Sequence, residues 1–306
     1  MSATDASNSE LKLIILDQNA ISNLALQPNK EWSEILELLR NGVSREKIIC
    51  PTASETIAET SHLPRADRKK IEELSEELSR GYYTKFFYDL IAQEILATVR
   101  PNVDTFPVFI PTMRQEVSDE ANFKGSQAIR KEKEDSELFV NSLERPEKNK
   151  SFTLREAQHL AVSNWLGMMR KYLNKFRNGQ MIGDEQFVIQ QVLAKLNELK
   201  VTDTEISGLL QGIKNESWLK IPLLLCWLFL DGLLTYEFFQ RGRKFEYNDE
   251  TDKYRAATAF HFAHGFITDR GMTAMLRQLK FEDPEFFSVF SVSETQRITT
   301  FLKSVC

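Results

Sequence analysis

Cysteine is scarce in this chain. Cys50, Cys226 and Cys306 are odd in number and none stands in a CxxC spacing, which excludes a disulfide framework and a zinc knuckle and points to a reducing compartment. A surplus of positive charge is also missing: the formal net charge is −5 and the pI is near 5.6. A general polyanion binder with a broad basic surface is thereby excluded, although a local basic rim around an acidic site is not. Long hydrophobic runs are absent too. The longest uncharged apolar stretch, Ile221 to Leu230, is ten residues between Lys220 and Asp231, about half of the roughly 20 that a spanning helix needs, and it reads as a buried core helix. The opening MSATDASNSE has neither the basic start nor the apolar core of a signal peptide, so residues 1–10 are expected to be disordered and the protein cytoplasmic, with no membrane association. No internal repeat is visible.

What is present is an ordinary globular composition, 42% hydrophobic and 27% charged over 306 residues, enough for one large domain or two modest ones. Leu11 to Leu16 is a short apolar run ending in Asp17, as expected of a strand buried on both faces of a parallel sheet. Helical spacing follows in Ile21 and Leu24, then in Trp32, Ile35, Leu36 and Leu39, and Asn41-Gly42 is expected to close that helix. A second strand is expected over Lys47 to Cys50, followed by Pro51 and another helix.

From about residue 65 to 240 the pattern is helical and charged, with amphipathic stretches near 67–80, 83–98, 114–143, 153–176, 184–199 and 216–239. Arg100 to Pro111 and Arg145 to Ser151 read as connections. Strand and helix alternation resumes near the end: a helix over Asp252 to His264 with Ala256, Ala259 and Ala263 on one side, a strand over Gly265 to Thr268 ending in Asp269, a helix over 271–279, a strand around Ser288 to Val292, and a last helix opened by Ser293 and Gln296 as a capping box. The expectation is an α/β domain formed by residues 11–64 and 241–306, interrupted by a mostly helical insertion over 65–240.

The carboxylates form the candidate site. Right-handed crossovers put the loops after parallel strands at one edge, and ligands bind there. Asp17 and Asp269 each end a strand at that edge, where like charges repel unless a cation, typically a hard divalent ion with oxygen ligands, holds them. Glu55 and Glu59 lie one helical turn apart after the second strand. Thr52 and Glu55 have capping-box spacing, which leaves Glu59 as the better candidate ligand. Asp252 opens the helix before the Phe266 strand, a place the helix dipole also favours for a carboxylate.

The run from Leu13 to Asn19, the helix carrying Glu59, the Asp252 helix and the segment Phe266-Ile267-Thr268-Asp269 together resemble the four-acid pattern of PIN-domain nucleases, with Asn19 and Thr268 where that family commonly carries small polar residues. The resemblance covers roughly residues 11–62 and 246–306. It implies a three-layer α/β/α fold with a short parallel sheet, Asp17, Glu59, Asp252 and Asp269 as catalytic and metal-holding acids, Mg²⁺ or Mn²⁺ as cofactor, and metal-dependent cleavage of nucleic acid, RNA ahead of DNA. Asp249 is a rival for Asp252. Lys253, Arg255, Arg270, Arg241, Arg243 and Lys244 are near the acids in sequence and are candidates for phosphate contacts. The helical insertion could serve a protein partner or a homodimer.

Other signals are weaker. His261 and His264 have a zinc-compatible spacing but no third ligand nearby in sequence, so packing or surface roles are expected. Arg170, Lys171, Lys175 and Arg177, interleaved with Tyr172 and Phe176, suit RNA stacking or an ordinary charged helix face. The aromatics from Trp227 to Phe239 read as core. Haloacid-dehalogenase-like phosphatases also begin with a strand-end aspartate, but they need a second one two residues on, where this chain has Asn19. A catalytically silent PIN-like scaffold or regulatory module is the non-enzymatic alternative.

Overall fold

The computed structural model describes residues 11–26, 29–53, 56, 59–60, 63–101, 109–111, 153–177, 187–214, 222–242, 247–280 and 287–306. In chain order the elements are β1 (Lys12–Leu16), α1 (Gln18–Leu26), α2 (Lys30–Ser44), β2 (Ile48–Ile49), α3 (Arg65–Ser79), β3 (Tyr82–Thr84), α4 (Phe87–Val99), β4 (Phe109–Pro111), α5 (Leu154–Arg177), α6 (Phe187–Glu198), α7 (Asp203–Lys214), α8 (Pro222–Arg241), α9 (Tyr247–Phe262), β5 (Gly265–Thr268), α10 (Arg270–Gln278), β6 (Ser288–Ser291) and α11 (Thr295–Val305). The protein is mixed α/β and mostly helical, and it divides into two compact units, Met1–Tyr83 with Phe262–Cys306, and Thr84–His261.

The first unit is built on a four-stranded sheet of order β2-β1-β5-β6, parallel throughout. Its strands are short and apolar because both faces are covered: Ile14 and Ile15 point to opposite faces, and both are buried. One face, carrying Ile14, Leu16, Ile48, Ile267 and Phe290, packs with Ile21 and Leu24 of α1, Ile35 and Leu39 of α2, Ile71, Leu74 and Leu78 of α3, and Ile298 and Leu302 of α11. Each of these helices contributes apolar residues at three- and four-residue spacing, the stripe a helix must bury. Asn29 starts α2, its Oδ1 accepting the Trp32 N–H at 2.9 Å. His264 clamps the far end of the sheet: its backbone N–H donates to the Leu13 carbonyl at 2.8 Å and its Nδ1 accepts the Leu13 N–H at 3.1 Å.

The second unit is helical. In it α8 packs along α5, and α4 along α6. Glu94 of α4, buried, closes the start of α8 by accepting the N–H groups of Leu223 at 2.8 Å and Leu224 at 3.0 Å. Phe87, Trp227 and Tyr254 stack with ring centroids 4.7 to 6.3 Å apart, so Trp227 lies in the core. Helix α8 outruns the apolar stretch read from sequence, because Asp231 does not end it. The window Leu223–Gln240 is long and apolar enough by length and composition to cross a membrane, and 56% of it is buried within the protein, which is also the signature of a core helix.

Several local readings are corrected. The unit boundaries fall after Tyr83 and His261 rather than at 64 and 240; α3 belongs with the sheet because Ile71, Leu74 and Leu78 join its core. Gly42 does not end α2, which continues to Ser44. Tyr82–Thr84 is a strand where a helix was expected, consistent with its aromatic and β-branched residues, and residues 109–111 of the expected connection form β4. Helix α7 lies within the helical middle, between the amphipathic stretches near 184–199 and 216–239. The last helix is opened by Glu294, not by a Ser293 and Gln296 box. Its carboxylate instead holds Arg277 at 2.8 Å and the Ser291 N–H at 2.9 Å. The expected helix over 114–143 and the segment 1–10 lie outside the described residues.

Candidate functional site

Strand order decides where a site can form. From β1 the chain passes through α1 and α2 to β2 on one side; from β5 it passes through α10 to β6 on the other side. The two connections diverge between β1 and β5, and the crevice beyond the carboxyl ends of such a pair is where open parallel sheets bind ligands. Asp17 is the first residue after β1 and Asp269 the first after β5.

Each carboxylate begins a helix, and the two are joined. Asp17, 2% exposed, accepts the Ala20 N–H on Oδ1 at 2.8 Å and the Asp269 backbone N–H on Oδ2 at 2.8 Å. Asp269 turns its Oδ1 to the N–H groups of Gly271 and Met272 at the start of α10. Like charges side by side at this edge need compensation. The structure supplies part of the compensation itself, since the N-termini of α1 and α10 each carry roughly half a positive charge and their orphan N–H groups bond the acids. The Asp269 Oδ2 has no hydrogen-bond partner among the described residues.

Unsatisfied polar atoms mark the same edge. Among the described residues of the first unit, the buried side-chain atoms without a hydrogen-bond partner are Gln18 Oε1, Thr52 Oγ1, Thr56 Oγ1 and Thr268 Oγ1. All four follow or end β1, β2 or β5. The sheet register pairs Leu16 with Ile267 and the ladder continues with the Asp17 N–H on the Ile267 carbonyl at 3.0 Å. Asp17 therefore stands beside Thr268, and alternation turns both away from the face that carries Leu16 and Ile267.

The remaining predicted residues are distributed differently. Glu59 lies in the first unit, partly buried on a helical segment after β2, and Glu55 is outside the described residues. Thr52 does not cap that helix: it bridges Tyr83 and its hydroxyl is unsatisfied. Asp252 and Asp249 belong to the second unit, on α9, which starts at Tyr247. Asp252 is therefore in the second turn, where the helix dipole no longer accounts for it, and its Oδ1 lies 3.5 Å from Arg255 Nη1.

Lys253 and Arg255, expected at the surface or on phosphates, are each 1% exposed. Lys253 pairs with Asp231 at 2.7 Å and sits over the Trp227 ring. Arg270 is exposed directly after Asp269, while Arg243 and Lys244 and the Arg241 side chain lie outside the described residues. Tyr172 is buried, so its ring is not available to stack on a base. His261 and His264 do not act together: His264 serves the sheet, and His261 Nε2 is 3.9 Å from Glu94 Oε1. Gln18 and Glu94 carry no periodic or spacing signal, and the spacing that marks His264 suggests zinc rather than its bonds to Leu13. Only their partners, distant in sequence or absent, make them visible.

Among the described residues no three His, Cys, Asp or Glu side chains are grouped to hold an ion; what the fold assembles is the pair Asp17 and Asp269. A pair suits Mg²⁺, which keeps several waters and takes one or two carboxylates, and the open Asp269 Oδ2 and unsatisfied Thr268 hydroxyl fit that demand. Comparison with protein-family models, curated proteins and solved structures finds no match to this chain.

Proposed function

We propose that the protein is a metal-dependent nuclease, an endoribonuclease of PIN-like architecture that hydrolyses RNA phosphodiester bonds. The observation that carries this reading is the meeting of Asp17 and Asp269 at the switch point between β1 and β5, where a parallel sheet binds its ligand. Right-handed crossovers in opposite directions from β1 and β5 put α1 and α2 on one face and α10 on the other, in support of three layers. Asp17 and Asp269 would hold Mg²⁺ or Mn²⁺, with Glu59 of the same unit as a further candidate. When bound, the ion supplies an activated water and offsets charge on the phosphoryl oxygens. The chain's own contribution is to aim both carboxylates through the N–H groups of α1 and α10 and to offer Arg270, exposed beside Asp269, to a flanking phosphate.

A silent scaffold is the second reading, and one observation favours it. Both acids already do structural work as helix caps, so their presence alone does not require catalysis.

The test uses labelled single-stranded RNA and DNA with Mg²⁺, Mn²⁺ or excess EDTA, followed on a gel. Asp269→Asn is the informative variant, because asparagine caps a helix about as well as aspartate while removing the charge. Cleavage of RNA by the wild type, lost with EDTA and in the folded variant, is the expected result. An Asp252→Asn arm reads whether that residue belongs to the reaction. Absence of cleavage together with absence of metal binding by calorimetry would move the protein to the scaffold reading.

A further inference from the structure

Four unsatisfied buried polar atoms at one sheet edge need a physical account, because buried polar side chains are ordinarily bonded. Other hydroxyls of the first unit are bonded: Thr60 Oγ1 donates to the Thr56 carbonyl at 2.9 Å, Thr273 Oγ1 to the Asp269 carbonyl at 2.7 Å, and the Ser291 and Ser293 hydroxyls bond each other at 3.0 Å. Among the described residues of the first unit, the four exceptions all follow or end β1, β2 or β5.

The acids themselves offer few direct bonds to an ion. Both oxygens of Asp17 and one of Asp269 are engaged by backbone N–H groups. A divalent ion such as Mg²⁺ asks for six oxygens and gives up its waters reluctantly. Each retained water carries two hydrogens that need acceptors. Gln18 Oε1, whose amide nitrogen already donates to Ser22 Oγ at 3.1 Å, is an acceptor without a donor, directly after Asp17. Thr268, 1% exposed, has its hydroxyl in the same condition and stands beside Asp17 on the same sheet face.

We infer that Gln18 and Thr268 bind the waters of the ion rather than the ion itself, so that this edge captures a largely hydrated divalent cation. The inference rests on the metal-dependent reading above and adds two residues and a binding mode to it. Outer-sphere partners of this kind typically govern metal affinity by roughly ten- to a hundredfold.

Cobalt(III) hexaammine, an exchange-inert mimic of a hexahydrated ion, tests it without reference to cleavage. Isothermal calorimetry on the full chain should find hexaammine bound at one site and displaced by Mg²⁺. Gln18→Leu and Thr268→Val, both close in shape to the native residues, should each weaken hexaammine and Mg²⁺ roughly tenfold while circular dichroism and melting remain those of the wild type. Mg²⁺ binding that hexaammine neither shares nor competes with would overturn the inference on wild-type protein alone, leaving the nuclease reading intact. Wild-type affinity for both ions in the double variant would do the same. Failure of both ions to bind would overturn the inference and the metal-dependent reading together.

Discussion

Asp17 Oδ2 accepts the backbone N–H of Asp269 at 2.8 Å, closing a gap of 252 residues between the ends of two neighbouring strands. The bond makes one acid the positioning group of the other, so the two positions respond differently to the same substitution.

Asp17→Asn should destabilise the fold, because its amide nitrogen or oxygen must face one of two N–H donors, and only the oxygen can accept. Leaving one buried donor unmet costs about 1–3 kcal/mol. Asp269→Asn should cost little, since Oδ1 keeps both cap bonds and Oδ2 has no described partner. Urea melts of the two variants measure the difference; equal losses would refute this ordering.

Glu94 gives stability a pH dependence. Burial pushes its carboxyl up from the ordinary 4.5 to about 7, against the pull of the Leu223 and Leu224 N–H groups. A carboxyl raised in the folded state contributes stability fully below about 4.5 and loses it as pH rises through about 7. Its neighbour His261 is pushed down from the ordinary 6.5 to about 4 by burial, which makes stability rise with pH over much of the same window; that contribution is common to the wild type and Glu94→Gln, so their difference isolates Glu94. The wild type should lose on the order of 3 kcal/mol relative to Glu94→Gln between these limits. Melting curves of both proteins across that range are the check.

Gly42 is required by close packing rather than by chain reversal. A Cβ there would lie 2.6 Å from Ile48 Cδ1 and 2.8 Å from Cys306 Sγ. Alanine usually gains about 1 kcal/mol over glycine inside a helix, but Gly42→Ala should lose about 1–3 kcal/mol to overpacking. Adding Cys306→Ala removes one of the two obstructing atoms and should recover part of the loss in thermal melts.

Lys253 and Asp231 should show asymmetric effects. Lys253 is 1% exposed and Asp231 21% at the side chain, so Asp231→Ala takes an ion-pair partner from a buried cation and should be the costlier change, at up to about 3–5 kcal/mol. Lys253→Met leaves a carboxylate that can turn to water, and it should cost less. Chemical denaturation of the two single variants reads the order directly.

Local features were legible where one residue type serves one purpose. β5 covers the expected Gly265–Thr268, because a short apolar run between turn signals has few other uses, and Asp17 and Asp269 were placed at strand ends for the same reason. Boundaries and roles set by packing were less legible. The apolar spacing of Ile71, Leu74 and Leu78 marks a helix without naming the sheet as its partner, and Gly42 looks like a stop signal until Ile48 and Cys306 are brought against it. Lys253 and Arg255 read as solvated charge because burial is a property of the neighbours.

From the sequence alone followed the α/β alternation at both ends, the helical middle and the acids at two strand ends, since these depend on periodicity and on the residues adjoining each run. Tertiary structure alone decided that β1 and β5 are neighbours, that Asp17 holds Asp269, and that the unsatisfied atoms of the first unit gather along one edge. Those relationships join residues more than two hundred positions apart, and only chain closure, through hydrogen bonds and burial that no local pattern encodes, brings them together.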